Sequence, residues 1–194
     1  MIAYIKGELV LKTPTYVIIE SNGIGYQINI SLQTFSALPK EGICKLHTYL
    51  SIKEDSHSLY GFMEASEKTL FIHLISVSGI GPNTARTMLS SITAAEIRQA
   101  IIQENLPVIQ GIKGIGPKSA KRLILELKDK MIKDTDEVSF STVLHNTSRE
   151  EALSALIMLG FSKSSAEKSI DKILSTESAD ISVEEIIKKA LKEL

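Results

Sequence analysis

The sequence is poor in the residues that mark several common protein classes. It has 194 residues with one cysteine, no tryptophan and only 5% aromatic side chains. A single cysteine, Cys44, excludes an internal disulfide framework, and a reducing cytoplasm is the expected compartment. Scarce aromatic residues disfavour base stacking as the main mode of nucleic-acid binding. No apolar run is long enough to span a bilayer and no signal-peptide pattern opens the chain, so no membrane partner is expected.

The formal net charge is only −1, but the charge is unevenly distributed. Residues 65–134 carry 10 basic and 6 acidic side chains, whereas residues 135–194 carry 7 basic and 11 acidic ones. The positive excess therefore lies in the middle of the chain. There it favours an anionic partner such as the phosphates of DNA.

A ten-residue motif occurs twice, with an offset of 35 residues, at residues 77–86 (the first hairpin) and 112–121 (the second hairpin). Gly-Ile-Gly in each copy predicts a tight turn, and the proline that follows favours the start of a helix. Ile80 and Ile115 are expected to fill the gap between the paired helices. The glycines let another backbone come close, and the first amides of the helix suit an anion. One copy could be an ordinary turn, but two matched copies favour a paired phosphate clamp.

The residues predicted to bind DNA backbones come from both copies. They are Gly79, Ile80, Gly81, Asn83, Arg86, Gly114, Ile115, Gly116, Lys118, Ser119 and Lys121. The second copy overlaps a false phosphate loop, because Gly111 to Ser119 approximates Gly-x-x-x-x-Gly-Lys-Ser. Pro117 breaks that register and no predicted strand leads into it, so nucleotide binding is rejected.

Residues 1–64 predict a β domain, because runs of β-branched and aromatic residues alternate with turn residues. The predicted strands are Met1–Val10, Pro14–Glu20, Ile24–Ile30, Ile43–Leu50 and Leu59–Phe62, with a short helix at Leu32–Leu38. Asn22-Gly23 indicates a tight β-hairpin. Five short strands fit an OB-type barrel, although a small barrel without a ligand stays open. Glu54 and Asp55 in the last connection are either a solvated turn or a negative tip beside a DNA-binding surface.

The remainder of the chain is predicted to be helical, which gives an α+β multidomain fold. Residues 65–133 form the tandem helix-hairpin-helix domain, with helices at Glu67–Val77, from the Thr93 capping box to about Glu104, and at Pro117–Ile132. Polar residues 134–147 predict a flexible linker, and residues 148–194 predict a bundle of three short helices. An apolar patch on so small a bundle would be a partner site. The candidates there are Leu156, Leu159 and Phe161, which core packing also explains.

Catalysis finds little support in this sequence. The four histidines have no metal-ligand spacing, and Cys44 lies in a predicted strand, where a core position is expected. Glu54 and Asp55 are adjacent, whereas metal-dependent nucleases gather carboxylates from separate elements. We therefore predict no catalytic residue, no metal site and no cofactor.

The ordered combination of these features resembles the RuvA family, the Holliday-junction-binding subunits of bacterial branch-migration complexes. The resemblance rests on the barrel closed by Leu59-Tyr60-Gly61-Phe62, Glu54-Asp55 in its last connection, the two hairpins and the tethered tail. It implies a homotetramer, or an octamer of two facing tetramers, that holds a four-way DNA junction open and nearly flat. Glu54 and Asp55 would then form an acidic pin at the crossover. Asn83 departs from the family pattern, which often has lysine there.

The resemblance also implies partners. The tail would engage the hexameric RuvB ATPase, which drives branch migration in recombination and repair, and the RuvC resolvase would be a further partner. Two other classes stay open at this point. A repair nuclease or glycosylase that carries hairpins would cleave DNA, and a monomeric OB-type RNA-binding module would prefer single strands.

Overall fold

The computed structural model describes residues 2–139, 147–176 and 181–194, and the chain divides into two compact units, Met1–Thr135 and Asp136–Leu194. The first unit begins with a barrel whose elements are β1 (Tyr4–Lys12), β2 (Tyr16–Ser21), β3 (Ile24–Ile30), α1 (Leu32–Ala37), β4 (Ile43–Ile52) and β5 (His57–Phe62). It continues with helices α2 (Ala65–Ser76), α3 (Pro82–Ser91), α4 (Ala94–Ile102), α5 (Leu106–Gln110) and α6 (Pro117–Ser139).

The five strands close into a barrel in the order β1-β2-β3-β5-β4, with β4 paired back to β1. Only β3 and β5 pair in parallel, and the other neighbours are antiparallel. Asn22 and Gly23 have φ values of 51° and 79°, so the predicted tight hairpin joins β2 to β3. The predicted OB-type barrel is confirmed, although β1 runs from Tyr4 to Lys12 where Met1–Val10 was predicted.

Alternating apolar side chains of the strands fill the barrel. The buried set is Ile5, Leu9, Val17, Ile19, Ile28, Ile30, Leu38, Cys44 and Leu46. Cys44 lies in this core as predicted, and burial raises the pKa of its thiol. Gly61 is required by packing, because an added Cβ would lie 2.5 Å from Cγ2 of Ile28. Glycine at this position therefore lets the end of β5 pack closely against the Ile28 side chain of β3.

The outer face of β5 joins the barrel to the helices. Leu59 packs against the barrel core, whereas Tyr60 and Phe62 belong to the helical core, as expected from the two-residue period of a strand. The rings of Tyr60 and Phe62 lie 5.3 and 4.9 Å from that of Phe71 in α2, measured between centroids. Because one strand contributes to both cores, the barrel and the hairpin helices have a defined relative position.

The helices α2 to α6 bury one continuous core, whose fully enclosed large residues include Leu70, Phe71, Leu74, Met88, Leu89, Ile97, Ile101 and Ile109. The predicted capping box at the start of α4 is present, since Thr93 Oγ1 accepts from the amide of Glu96 while Glu96 Oε2 accepts from that of Thr93. This cap fixes the segment that connects the two hairpins.

A buried carboxylate ties the first turn of α2 to α1. Glu67 is 8% exposed and accepts hydrogen bonds from the hydroxyls of Ser31 (2.9 Å) and Thr34 (3.1 Å). Burial raises the pKa of Glu67, while these two hydroxyls and the backbone amide of Met63 act in the opposite direction. No sequence pattern indicated this contact, because α1 and α2 are far apart in the chain.

Helix α6 extends to Ser139, beyond the predicted end at Ile132. Part of the predicted linker, residues 134–139, is therefore helical, and residues 140–146 lie outside the described residues. In the part of the chain that the structure describes, no helix is long and apolar enough to cross a membrane.

The second unit contains α7 (Thr147–Met158), α8 (Lys163–Thr176) and α9 (Val183–Glu193), the three predicted tail helices. Gly160 has a φ of 98° just after α7, and Ser162 Oγ accepts from the amide of Ser165 at the start of α8. Ser182 caps α9 by accepting from the amide of Glu185. The small core consists of Ala152, Leu156, Ala166, Ile170, Ile173, Ile181, Ile186 and Ala190.

Candidate nucleic-acid interface

The two hairpins have matching backbone geometry. Gly79 and Gly114 have φ values of 91° and 93°, which L side chains rarely adopt. The amide of Ile80 donates to the carbonyl of Val77 at 3.0 Å, and the equivalent bond from Ile115 to Ile112 is 3.1 Å. The repeat read from the sequence is therefore a repeat of structure. It presents the N-termini of α3 and α6 in the same way.

At the second glycine of each hairpin, neither the backbone conformation nor packing against the described residues requires glycine. Gly81 has extended φ and ψ of −89° and 171°, and Gly116 is also outside the positive-φ region. A Cβ added to either residue would meet no protein atom within 4 Å. The absent side chain therefore leaves open space beside the first helical amides, where an external backbone can approach.

The isoleucines of the hairpins face inwards. Ile80 and Ile115 are 4% and 7% exposed and belong to the helical core, as their predicted plugging role requires. Their amides also donate within the turns. Their predicted contact with DNA stays a prediction, and the burial of both side chains favours contacts from neighbouring residues of the hairpins instead.

The cations of the second hairpin are exposed. Lys118 and Lys121 lie in the first turns of α6, and neither has a hydrogen bond or ion pair within the described residues. Ser119, also predicted to bind DNA, is half-buried, and its Oγ would lie 3.9 Å from a Cβ added to Gly79. The two hairpins are thus neighbours, and both lysines are free to pair with an anion. The segment is preceded by helix α5, so no strand leads into the false phosphate loop.

The polar residues of the first hairpin are engaged differently. Arg86 donates from Nη1 to the carbonyl of Thr15 and to Oδ1 of Asn29, both at 3.2 Å. Oδ1 of Asn83 accepts from the hydroxyl of Tyr60 at 3.1 Å. The predicted contact of Arg86 and Asn83 with DNA stays a prediction, and both side chains already contact the barrel. Tyr60 and Asn29 were not predicted as site residues, because their partners are 23 and 57 residues away in sequence.

Glu54 and Asp55 occupy the tip of the loop between β4 and β5, called the acidic loop here (residues 53–56). Lys53 and Ser56 close it by exchanging two backbone hydrogen bonds of 2.8 and 3.4 Å. Both carboxylates are exposed, and the Asp55 carboxylate accepts only from the adjacent Ser56 hydroxyl among the hydrogen bonds of the described residues. Within the described residues, the structure thus places two negative charges without an ion pair on the loop between β4 and β5. Across the described residues, no group of three or more His, Cys, Asp or Glu side chains could hold a metal ion.

The tail presents apolar residues near the end of α7. Of the three predicted partner residues, Leu159 is 60% exposed and Phe161 is half-buried against the bundle. Leu156 is fully buried, so its predicted contact with a partner is corrected to a core position. Met158, which directly precedes Leu159, is 86% exposed. Among the described residues, packing of the three short helices leaves this corner exposed, which periodicity alone does not specify.

Comparison with known proteins agrees with this architecture. Three family models match in order: RuvA N terminal domain at residues 1–61, SAM-like helix-hairpin-helix tandem at residues 71–129, and RuvA C-terminal domain at residues 147–194. The chain is 57% identical to the Holliday junction branch migration complex subunit RuvA of Flavobacterium psychrophilum and 54% identical to that of Christiangramia forsetii, with 100% of each chain covered. Identity to the RuvA of Cytophaga hutchinsonii is 51%, with 99% of each chain covered. The chain therefore belongs to the RuvA family.

Proposed function

We propose that this protein is the junction-binding subunit of a Holliday junction branch migration complex. The observation that carries this proposal is the pair of hairpins with matching geometry, each with an open glycine at the start of a helix. Two such N-termini in one subunit suit two phosphates of one DNA backbone region. The relatives bear the name of that complex, which extends the proposal from backbone binding to four-way junctions.

Binding of this type does not read sequence. Backbone amides, Lys118 and Lys121 would contact phosphates, and such contacts position a duplex without discriminating between bases. The acidic loop would lie at the crossover, where Glu54 and Asp55 repel phosphates and guide each strand into its own arm. One pair of like charges about 4 Å apart costs about 1 kcal/mol in bulk water and about 4 kcal/mol at an effective dielectric constant of about 20. We infer that a homotetramer, or an octamer on DNA, surrounds an open and nearly planar junction.

The tail would recruit the motor. The described residues of unit Asp136–Leu194 form their own small core, and Met158 and Leu159 are exposed beside it. We propose that this corner contacts the RuvB ATPase, and that RuvC is a further partner of the assembled complex. The site of action would be the cytoplasm, in homologous recombination and DNA repair.

The test is junction binding at several salt concentrations. Replacing Lys118 and Lys121 together by Ala should weaken binding to junctions of any sequence alike. It should also lower the slope of log affinity against log salt by about 1.8 per bound subunit, since each phosphate contact contributes about 0.9. The matched control replaces Lys188 and Lys192, two exposed lysines of α9, which removes the same charge away from the hairpins.

Unchanged affinity and slope in the Lys118/Lys121 variant would rule out the phosphate role. Strand cleavage of the junction by the parent protein in the presence of divalent metal would support the nuclease class instead. Tighter binding of single-stranded RNA than of junctions would support the RNA-binding class.

A further inference from the structure

The two hairpins match in backbone but differ in what their polar side chains contact. Counting 35 residues along the repeat, Asn83 corresponds to Lys118 and Arg86 corresponds to Lys121. Both residues of the second hairpin are exposed and unpaired within the described residues. Both residues of the first hairpin are bonded to the barrel. The two copies of the motif therefore share a backbone conformation but differ in the contacts of their polar side chains.

Asn83 is held by a group whose own position is fixed. Tyr60 is 6% exposed, and the centroid of its ring lies 5.3 Å from that of Phe71. Packing of the ring therefore fixes the position of its hydroxyl. The hydroxyl donates to Oδ1 of Asn83 at 3.1 Å. Burial raises the pKa of Tyr60, and the nearby Arg86 acts in the opposite direction to a smaller extent. The phenol stays protonated at neutral pH and remains a donor.

Arg86 makes the second link to the barrel, and it reaches β5 through Asn29 of β3. Its guanidinium donates to Oδ1 of Asn29 at 3.2 Å, and Nδ2 of Asn29 donates to the carbonyl of Leu59 at 3.0 Å. Leu59 and Tyr60 are consecutive in β5, so Asn83 directly and Arg86 through Asn29 connect to neighbouring residues of this strand. From Tyr60, β5 leads directly back to the acidic loop, five residues from Asp55. The network therefore adds polar contacts between the first hairpin and the strand that leads to that loop.

We propose that Asn83 and Arg86 are positioning residues, which fix the first hairpin on β5 relative to the acidic loop, and that Lys118 and Lys121 of the second hairpin supply the phosphate-binding cations. The first hairpin then contributes backbone amides alone. This inference rests on the proposed junction-binding function and deepens it. A junction must engage a hairpin and the acidic loop together, whereas a plain duplex needs the hairpins only. Loosening the network should therefore reduce the preference for junction over duplex more than it reduces duplex binding.

The experiment compares Arg86→Gln with Lys121→Gln, which remove one positive charge at equivalent positions of the two hairpins. Affinity of the full-length protein for a synthetic four-way junction and for a duplex of the same sequence is measured at low and at moderate salt. Lys121→Gln should lower the salt slope by about 0.9 per bound subunit. Arg86→Gln should leave the slope unchanged and lower the junction preference about three- to tenfold, the effect of losing one or two ordinary hydrogen bonds.

Tyr60→Phe and Asn83→Ala test the other link without changing charge. Each should lower the junction preference by a similar factor, and the double variant should lower it no further than either single one, because both remove the same bond. Tyr60→Phe keeps the ring packing on Phe71, and Asn83 is exposed, so both variants should fold.

Two results would overturn the proposal. A salt slope reduced as much by Arg86→Gln as by Lys121→Gln would make Arg86 a phosphate ligand. A lowered melting temperature with unchanged junction preference in Tyr60→Phe and Asn83→Ala would give the network a purely structural role. A parent protein that binds duplex and junction equally well would instead refute the proposed function itself, whatever the variants do.

Discussion

Replacing each glycine of the second hairpin by alanine, one at a time, should distinguish effects on stability from effects on DNA binding. Gly114 has a φ of 93°, whereas Gly116 lies outside the positive-φ region, and an added Cβ meets no protein atom within 4 Å at either position. Gly114→Ala should therefore destabilise the fold through backbone strain alone. Gly116→Ala should be tolerated by the fold and opposed only by a ligand that occupies the open space.

The expected magnitudes follow from these conformations. Forcing alanine into the left-handed region at Gly114 costs about 1–2 kcal/mol. At Gly116 two smaller effects oppose each other. Alanine stabilises by about 0.4–1 kcal/mol because it restricts the unfolded chain, and it is a worse residue than glycine for starting a helix by a similar amount. The net change in the free energy of unfolding of Gly116→Ala should therefore be close to zero.

Binding should respond in the opposite order. A methyl group at Gly116 would hold a DNA backbone away from the first amides of α6, whose hydrogen bonds to charged phosphate contribute about 1.5–3 kcal/mol each. Loss of one such bond per subunit corresponds to a decrease in affinity of about 10- to 150-fold. Gly114→Ala should lose affinity only in proportion to any unfolding.

The assay pairs thermal unfolding of both variants with fluorescence anisotropy on a labelled four-way junction. Gly81→Ala in the first hairpin is the matched repeat, since Gly81 has the same open surroundings. Junction affinity unaltered by Gly116→Ala and Gly81→Ala would show that no DNA backbone approaches these helix N-termini, and the paired phosphate clamp would have to be abandoned.

Three further predictions concern the acidic loop, the tail and the buried carboxylate. Changing Glu54 to Gln and Asp55 to Asn together should keep or raise junction affinity and weaken discrimination against duplex; a variant identical to the parent in both would make the loop a solvated turn. A chain ending at Ser139 should bind junctions without stimulating RuvB, whereas lost junction binding would place DNA contacts in the tail. Glu67→Gln should gain stability relative to the parent as pH rises from mildly acidic to neutral in urea unfolding. The pKa of Glu67 is raised above its ordinary 4.5 in the fold, so the protonated side chain stabilises the folded state. This stabilisation is fully present below pH 4.5 and is lost as pH rises through the folded pKa. The loss is about 1.4 kcal/mol for each tenfold difference in proton affinity between the folded and unfolded states. A constant difference between variant and parent across that pH range would contradict this.

Local signals in the sequence predicted local structure well. Asn22-Gly23 formed a β-turn because both residues tolerate positive φ, and Thr93 with Glu96 started α4 because the two side chains satisfy each other's backbone amides. The hairpin repeat was also readable, since its glycines and prolines act on their own backbone. In each case the interacting residues lie within about four positions of one another, as in a capping box, so a short stretch of sequence is enough to predict the local structure.

What the sequence did not reveal depends on contacts between distant segments. Glu67 could not be placed beside Ser31, nor Arg86 beside Asn29, because these pairs form only after the barrel and the helices have packed. The same limit explains Leu156, which periodicity could not assign to the inner face of the tail rather than its surface. The end of α6 was misplaced for another reason, since the polar residues after Ile132 carry no apolar periodicity but are still helical to Ser139.

These long-range contacts change what the repeat means for function. From sequence, Arg86 and Lys121 are equivalent cations, and charge counting assigns both to DNA. Packing distinguishes them, because the barrel lies against the first hairpin and offers the guanidinium two oxygen acceptors at 3.2 Å, whereas Lys121 has no such partner within the described residues. The copies of a repeated motif thus differ in their side-chain contacts once they meet different neighbours. The duplication supplies the backbone geometry twice, and we propose that the surroundings of each copy decide whether its side chains bind DNA or contact the barrel.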